Sequence, residues 1–120
     1  MKLKLDFTEA VNTLKQNNML DDNISWAFVG VGMHYYLFSI YGDNLFVVPY
    51  NVFSASSKPK LEKTKKIAKD QIQEVKYKGL LKDKALIILK NGEKIKFTPY
   101  PYDNAWDYVR ALFARLGFKL

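Results

Sequence analysis

Between Phe7 and Asn17 the apolar residues Phe7, Ala10, Val11 and Leu14 recur at helical spacing, which predicts a helix of about three turns. Asp6, three residues before Glu9, resembles a capping box. From Ile24 the period becomes two. Ile24, Trp26 and Phe28 alternate with smaller residues, Gly30 and Gly32 loosen the strand, and Tyr35 to Tyr41 forms a second run. Gly42-Asp43-Asn44 turns the chain into Leu45 to Tyr50, and the Ser-rich segment Asn51 to Pro59 reads as a loop. Leu61 to Lys69 reads as a lysine-rich strand with no clean apolar face, broken at Asp70-Gln71. Val75 to Lys78, Ala85 to Leu89 and Lys94 to Thr98 complete the strands. Asn91-Gly92, between two of them, is the strongest short-range hairpin signal in the chain.

Pro99 and Pro101 then block helical continuation, and Asp103 is placed to cap a last helix. Its stripe is Ala105, Val109, Leu112, Phe113 and Leu116, and Gly117 stops it. About seven strands between two helices make the expected fold class mainly β, α+β by strict count. The expected form is a bent sheet or partly open barrel plugged by the C-terminal helix. The expected core comprises Trp26, Phe28, Leu37, Phe46, Ile72, Ile88, Phe97, Val109, Phe113 and Leu116.

A length of 120 residues with 48% hydrophobic content suits one domain spanning 1–120. The chain has no cysteine, which removes disulfides and thiolate metal sites and agrees with a reducing compartment. Met1 to Asp6 turns polar and acidic before any long apolar run, so no signal peptide is expected. The stretch Ile24 to Ile40 is too polar and Gly-broken to span a membrane. A cytoplasmic protein is the expectation. The net charge of +7 is regional: positions 58 to 96 hold thirteen lysines and five acids, a net of +8, and the rest sums to −1.

The runs "YGDNLFVVPY", "KKIAKDQIQEVKYKG", "ALIILKNGEKIKFTPY" and "AWDYVRALFARLG" together resemble the bacterial pleckstrin-homology-like domains over about positions 24 to 117. The most specific feature is their order, with Asp70-Gln71-Ile72-Gln73-Glu74-Val75 placed before the Lys90-Asn91-Gly92-Glu93 hairpin. The resemblance implies a seven-stranded, two-sheet barrel capped by the last helix, with residues 1–23 as an added helical extension. It also implies a non-enzymatic module. Phosphoinositide-binding relatives place basic residues around the first hairpin turn. Here that turn is Gly32-Met33-His34, without Lys or Arg, so that ligand site does not carry over.

The residues themselves argue against catalysis. His34 is the sole histidine, no nucleophile and base pair of the usual kind forms around it, and it reads as a polar turn residue. Asp21-Asp22 reads as a turn, and Asp103 and Asp107 as first-turn carboxylates favoured by the helix dipole. No cofactor or metal is expected, since one His and scattered acids give no ligand spacing. "GVGMHY" lacks the third glycine and the helix of a nucleotide fingerprint. Tyr35, Tyr36, Phe38 and Tyr41 read as core more than as a base-stacking strand. Two functions stay open. One is a protein-binding or self-associating module with Trp26, Trp106 or Tyr108 as anchors. The other is an adaptor to an anionic membrane or nucleic acid through Lys58, Lys60, Lys63, Lys65, Lys66 and Lys69. A solvated sheet edge explains those lysines without any ligand.

Overall fold

A computed structural model describes residues 6–54, 57–79, 83–100 and 104–120. Helix α1 (Thr8–Gln16) begins where the Thr8 N–H donates to Asp6 Oδ1 at 2.9 Å. The helix therefore starts one residue later than the capping-box reading of Asp6 and Glu9 requires. It ends at Asn18, which takes φ 56° while the Met19 N–H returns to the Leu14 carbonyl at 2.9 Å.

Seven antiparallel strands follow: β1 (Trp26–Val31), β2 (His34–Tyr41), β3 (Asn44–Pro49), β4 (Lys65–Ala68), β5 (Ile72–Lys78), β6 (Lys84–Leu89) and β7 (Lys94–Pro99). Helix α2 (Ala105–Arg115) closes the chain. The strand order is β4-β3-β2-β1-β7-β6-β5. Among the described residues, the strand pairing between the two halves, β1 to β4 and β5 to β7, is confined to β1 with β7 at Val29↔Pro99 and Gly30↔Thr98. The mainly β reading therefore holds, but the sheet is not closed into a barrel: β4 and β5 stand at opposite ends of the order.

The lysine-rich stretch accounts for one of those ends. Only Lys65–Ala68 pairs with β3, because Leu61–Lys63 and Lys69–Gln71 curl into single 3-10 turns. The Lys63 N–H goes to the Lys60 carbonyl at 3.0 Å and the Thr64 N–H to the Leu61 carbonyl at 3.2 Å. These local bonds replace ladder bonds, so the expected strand of 61 to 69 shrinks to a four-residue edge.

Two apolar layers form. Between the halves lie Ala27, Val29, Phe38, Ile40, Leu45, Val47 and Ile67 from the first, and Val75, Ala85, Ile87, Leu89 and Phe97 from the second. Val109, Leu112, Phe113 and Leu116 of α2 fill the end of this layer. On the other face of β1 to β3, Phe28, Leu37 and Val48 pack under Phe7, Ala10, Leu14 and Leu20. The N-terminal helix is therefore a lid over the second face of the first sheet. That is why β2 is buried continuously from Leu37 to Ile40. Of the expected core, Trp26, Phe46 and Ile88 are only half-buried. In β6 the inward residues are Ala85, Ile87 and Leu89, which turns Ile88 outward.

Candidate functional site

The start of β2 and the end of β3 are held side by side by the Tyr36↔Pro49 pairing and by the Tyr50 N–H, which donates to the Tyr35 carbonyl at 3.1 Å. Beyond Tyr50 the chain folds back on itself. Asn51 Oδ1 accepts the Phe53 N–H at 3.0 Å, the Ser54 N–H reaches the Asn51 carbonyl at 3.1 Å, and Ser57 Oγ accepts the Asn51 N–H at 3.2 Å. The Lys60 N–H then docks on the Pro49 carbonyl at 2.9 Å. These bonds set Lys58, Lys60 and Lys63 opposite Met33, His34, Tyr35 and Tyr36.

The result is an open cleft of about 660 Å³, with Ser54, Ser57 and Asn51 adding hydroxyl and amide groups. No carboxylate is among its described lining residues. Three lysines, a histidine and several neutral polar side chains line it, a set suited to holding an anion of several oxygens. The first hairpin turn itself contributes only Met33 and His34, so the positive charge arrives from the β3–β4 connection. Sequence reasoning missed this grouping because it depends on the bonds from Asn51 and Lys60 that return Lys58, Lys60 and Lys63 beside β2 and β3.

The six lysines proposed as one patch do not converge. Lys65 Nζ pairs with Glu93 Oε1 at 2.5 Å, linking edge strand β4 to the β6–β7 turn. That ammonium holds the Glu93 carboxyl below its usual range, through a hydrogen bond first and charge second. Lys66 is exposed on β4, and the Lys69 ammonium lies beside Gly117 at the end of α2. Only Lys58, Lys60 and Lys63 face the cleft.

The aromatic residues divide similarly. Phe38 is fully buried against Phe97 and Phe113, with ring centroids at 5.0 Å and 6.4 Å. Tyr35 stacks on Phe28 at 5.5 Å and meets Phe53 and Tyr100 edge-on. Burial, with help from the neighbouring Tyr100 hydroxyl, raises the Tyr35 phenol above its ordinary value. Tyr36 packs against the inner layer and Tyr41 is exposed.

Trp26 and Tyr108 lie 6.0 Å apart and line a second cleft of about 370 Å³ with Phe7, Phe28 and Tyr100. Trp106 points elsewhere and packs on Tyr77 at 5.0 Å. Gly32 takes φ +61° in the β1–β2 turn, whereas a side chain at Gly30 would make only ordinary contact with the Tyr100 ring, so the turn alone requires one of the "GVG" glycines.

The reading of one acid pair changes, while Asp107 stands in the first turn of α2 as expected. Asp21 and Asp22 are more than a turn, because Arg115 of α2 pairs with both. Asp107 pairs with Arg110 at 2.6 Å, and Arg110 also donates to the Tyr77 hydroxyl at 3.0 Å. Asp103 lies outside the described residues, and Asn104 occupies the N-cap position of α2. Among the described residues, no helix is long and apolar enough to cross a membrane. Comparison of the chain with protein-family models, with curated proteins and with solved structures returns no match.

Proposed function

We propose that the protein is a cytoplasmic, non-catalytic binding module of the bacterial pleckstrin-homology-like type, and that it takes a phosphorylated ligand in the cleft between the start of β2 and the β3–β4 connection. The observation that carries this reading is that Lys58, Lys60, Lys63 and His34 line one cleft with no described carboxylate among its lining residues. The strand order with β1 bridging to β7, and the helix closing the inner layer, support the family reading. Lysine ammoniums on a solvated loop bind phosphate as point charges, so affinity is modest and falls with salt.

Calorimetric titration with inorganic tripolyphosphate tests it. Binding is expected at about 50 mM salt and should weaken several-fold at about 150 mM. Lys58→Gln, Lys60→Gln and Lys63→Gln together should abolish it, whereas Lys65→Gln, Lys66→Gln and Lys69→Gln together should leave it nearly intact. Equal loss in both triple variants would refute the cleft as the site.

A protein partner is the second reading, favoured by the ring-lined cleft of Trp26 and Tyr108. A partner captured on the intact chain should be lost on Trp26→Ala and retained on Trp106→Ala; capture that ignores both changes rejects these anchors.

A further inference from the structure

The outward face of β5, β6 and β7 carries a second concentration of charge. Cross-strand register places Lys76, Leu86 and Lys96 in one row, Glu74, Ile88 and Lys94 in the next, and Lys78 opposite Lys84. All five lysines are exposed, and Leu86 and Ile88 are half-buried at the centre. Neither Leu86 nor Ile88 belongs to either apolar layer. Among the described residues, no carboxylate pairs with any of the five lysines.

Directly opposed like charges weaken a sheet, and Lys78 and Lys84 are such a pair. Lysines that guard a free edge belong on edge strands. That accounts for Lys76 and Lys78 on β5, but not for Lys84, Lys94 and Lys96, which stand on the interior strands β6 and β7. An anion spanning all three strands would relieve the repulsion.

We infer that the outer face of β5, β6 and β7 docks on the phosphate backbone of a nucleic-acid duplex, through Lys76, Lys78, Lys84, Lys94 and Lys96, without reading sequence. The composition of the face selects this partner. Protein hot spots favour Trp, Tyr and Arg, and none of these is among the described outward residues of the three strands. Bilayer docking is strengthened by protruding apolar side chains beside the lysines, and among the described residues the exposed large hydrophobic ones, Ile24, Met33, Tyr41, Phe53, Tyr100 and Tyr108, all lie off this face. Single strands are gripped by ring stacking, and the described outward residues of the three strands include no ring. What remains is a sheet that roots flexible lysines about 7 Å apart along a strand and about 10 Å apart across two. Such an array suits repeated phosphates contacted as charges alone.

Fluorescence anisotropy with the full chain and a labelled DNA duplex of mixed sequence reads this directly. The plot of log affinity against log salt should have a slope of about −4, set by the number of phosphates neutralised. Lys84→Gln, Lys94→Gln and Lys96→Gln together should flatten it by about 3 and weaken binding at about 50 mM salt by tenfold or more. Arginine at the same three positions should restore both. The variant with Gln at Lys58, Lys60 and Lys63 loses the same charge elsewhere and should keep the slope within about one unit.

An unchanged slope in the sheet variant, or equal flattening in both, overturns the proposal. So does the finding that the sheet variant loses phosphatidylserine vesicles but not the duplex. If the triple Gln variant does not fold, Glu74→Lys tests the same surface: it should steepen the slope by about one, and no steepening overturns the inference.

Discussion

Arg115 of α2 grips both oxygens of the Asp21 carboxylate. Nη2 lies 2.8 Å from Oδ2, and Nη1 pairs with Oδ1 while reaching Asp22 Oδ2 at 2.9 Å. Asp21 Oδ2 also accepts the Gly42 N–H at 2.7 Å. Asp22 in turn accepts the Ile24 N–H at 2.8 Å and the Ser25 N–H at 2.6 Å. One guanidinium thereby ties together the C-terminal helix, the segment leading out of α1 and the β2–β3 turn. The two helices cover different apolar layers, so this is where the two covers are joined.

Acid should weaken that joint. The Arg115 guanidinium, by its hydrogen bond, holds the Asp21 carboxyl below the ordinary 3.8 against the opposing effect of burial. For Asp22, burial is the largest influence and raises the pKa, but bonds from Ser25 and Ile24 outweigh it and the net direction is again down. A carboxyl whose folded pKa is depressed contributes stability that is complete above its unfolded value and is lost as pH falls through the folded one. Stability should therefore be flat from neutral pH to about 5 and decline below about 4. In Arg115→Leu the decline should be shallower, with stability at neutral pH about 1 kcal/mol lower, as for a partly exposed bidentate pair. Urea unfolding from pH 3 to 7 measures both; the same acid slope with and without Arg115 would show the pair to be uncoupled from folding.

The two apolar layers should fail independently. Phe113 is fully buried against Phe38 and Phe97, and Phe113→Ala should cost ~3–5 kcal/mol. Leu14 is equally buried in the other layer, and Leu14→Ala should cost ~2–5 kcal/mol. The layers lie on opposite faces of one sheet, so the double variant should lose the sum within about 0.5 kcal/mol. Equilibrium denaturation of the three variants decides it. A Leu14→Ala loss below about 1 kcal/mol would mean that α1 is an appendage and not a lid.

Element type was legible wherever periodicity was strong: α1, the β2–β3 hairpin at Gly42, the β6–β7 hairpin at Asn91-Gly92, and α2 with its stripe from Ala105 to Leu116. The face assignment in β6 was not. "ALIIL" is apolar throughout, so no alternation tells Ile87 from Ile88, and only its pairing with β5 and β7 does. The lid role of α1 was present indirectly, as continuous apolar runs in β1 to β3 that one covered face cannot explain. The basic cleft was hidden because Lys58 and His34 are 24 positions apart and meet only through the loop bonds around Asn51. By contrast, the period-two spacing of Lys76 with Lys78 and of Lys94 with Lys96 is visible in the sequence as shared-face lysines, but only the pairing of β5, β6 and β7 puts both pairs on the same face.

Ser39 supplies a test of how well the outer layer is satisfied. It is fully buried in β2, directly opposite Trp26 on one side and Phe46 on the other. Its hydroxyl has no hydrogen-bond partner among the described residues. Burying a hydroxyl without a partner costs ~1–3 kcal/mol, whereas removing one oxygen leaves too small a void to cost as much. Ser39→Ala should therefore raise stability by about 1 kcal/mol, contrary to the usual sign for a core truncation. Urea denaturation should show a higher midpoint at an unchanged m-value. Destabilisation by more than about 1 kcal/mol would mean that the hydroxyl is hydrogen-bonded in solution and that the layer between β2 and α1 is more polar than its residues suggest.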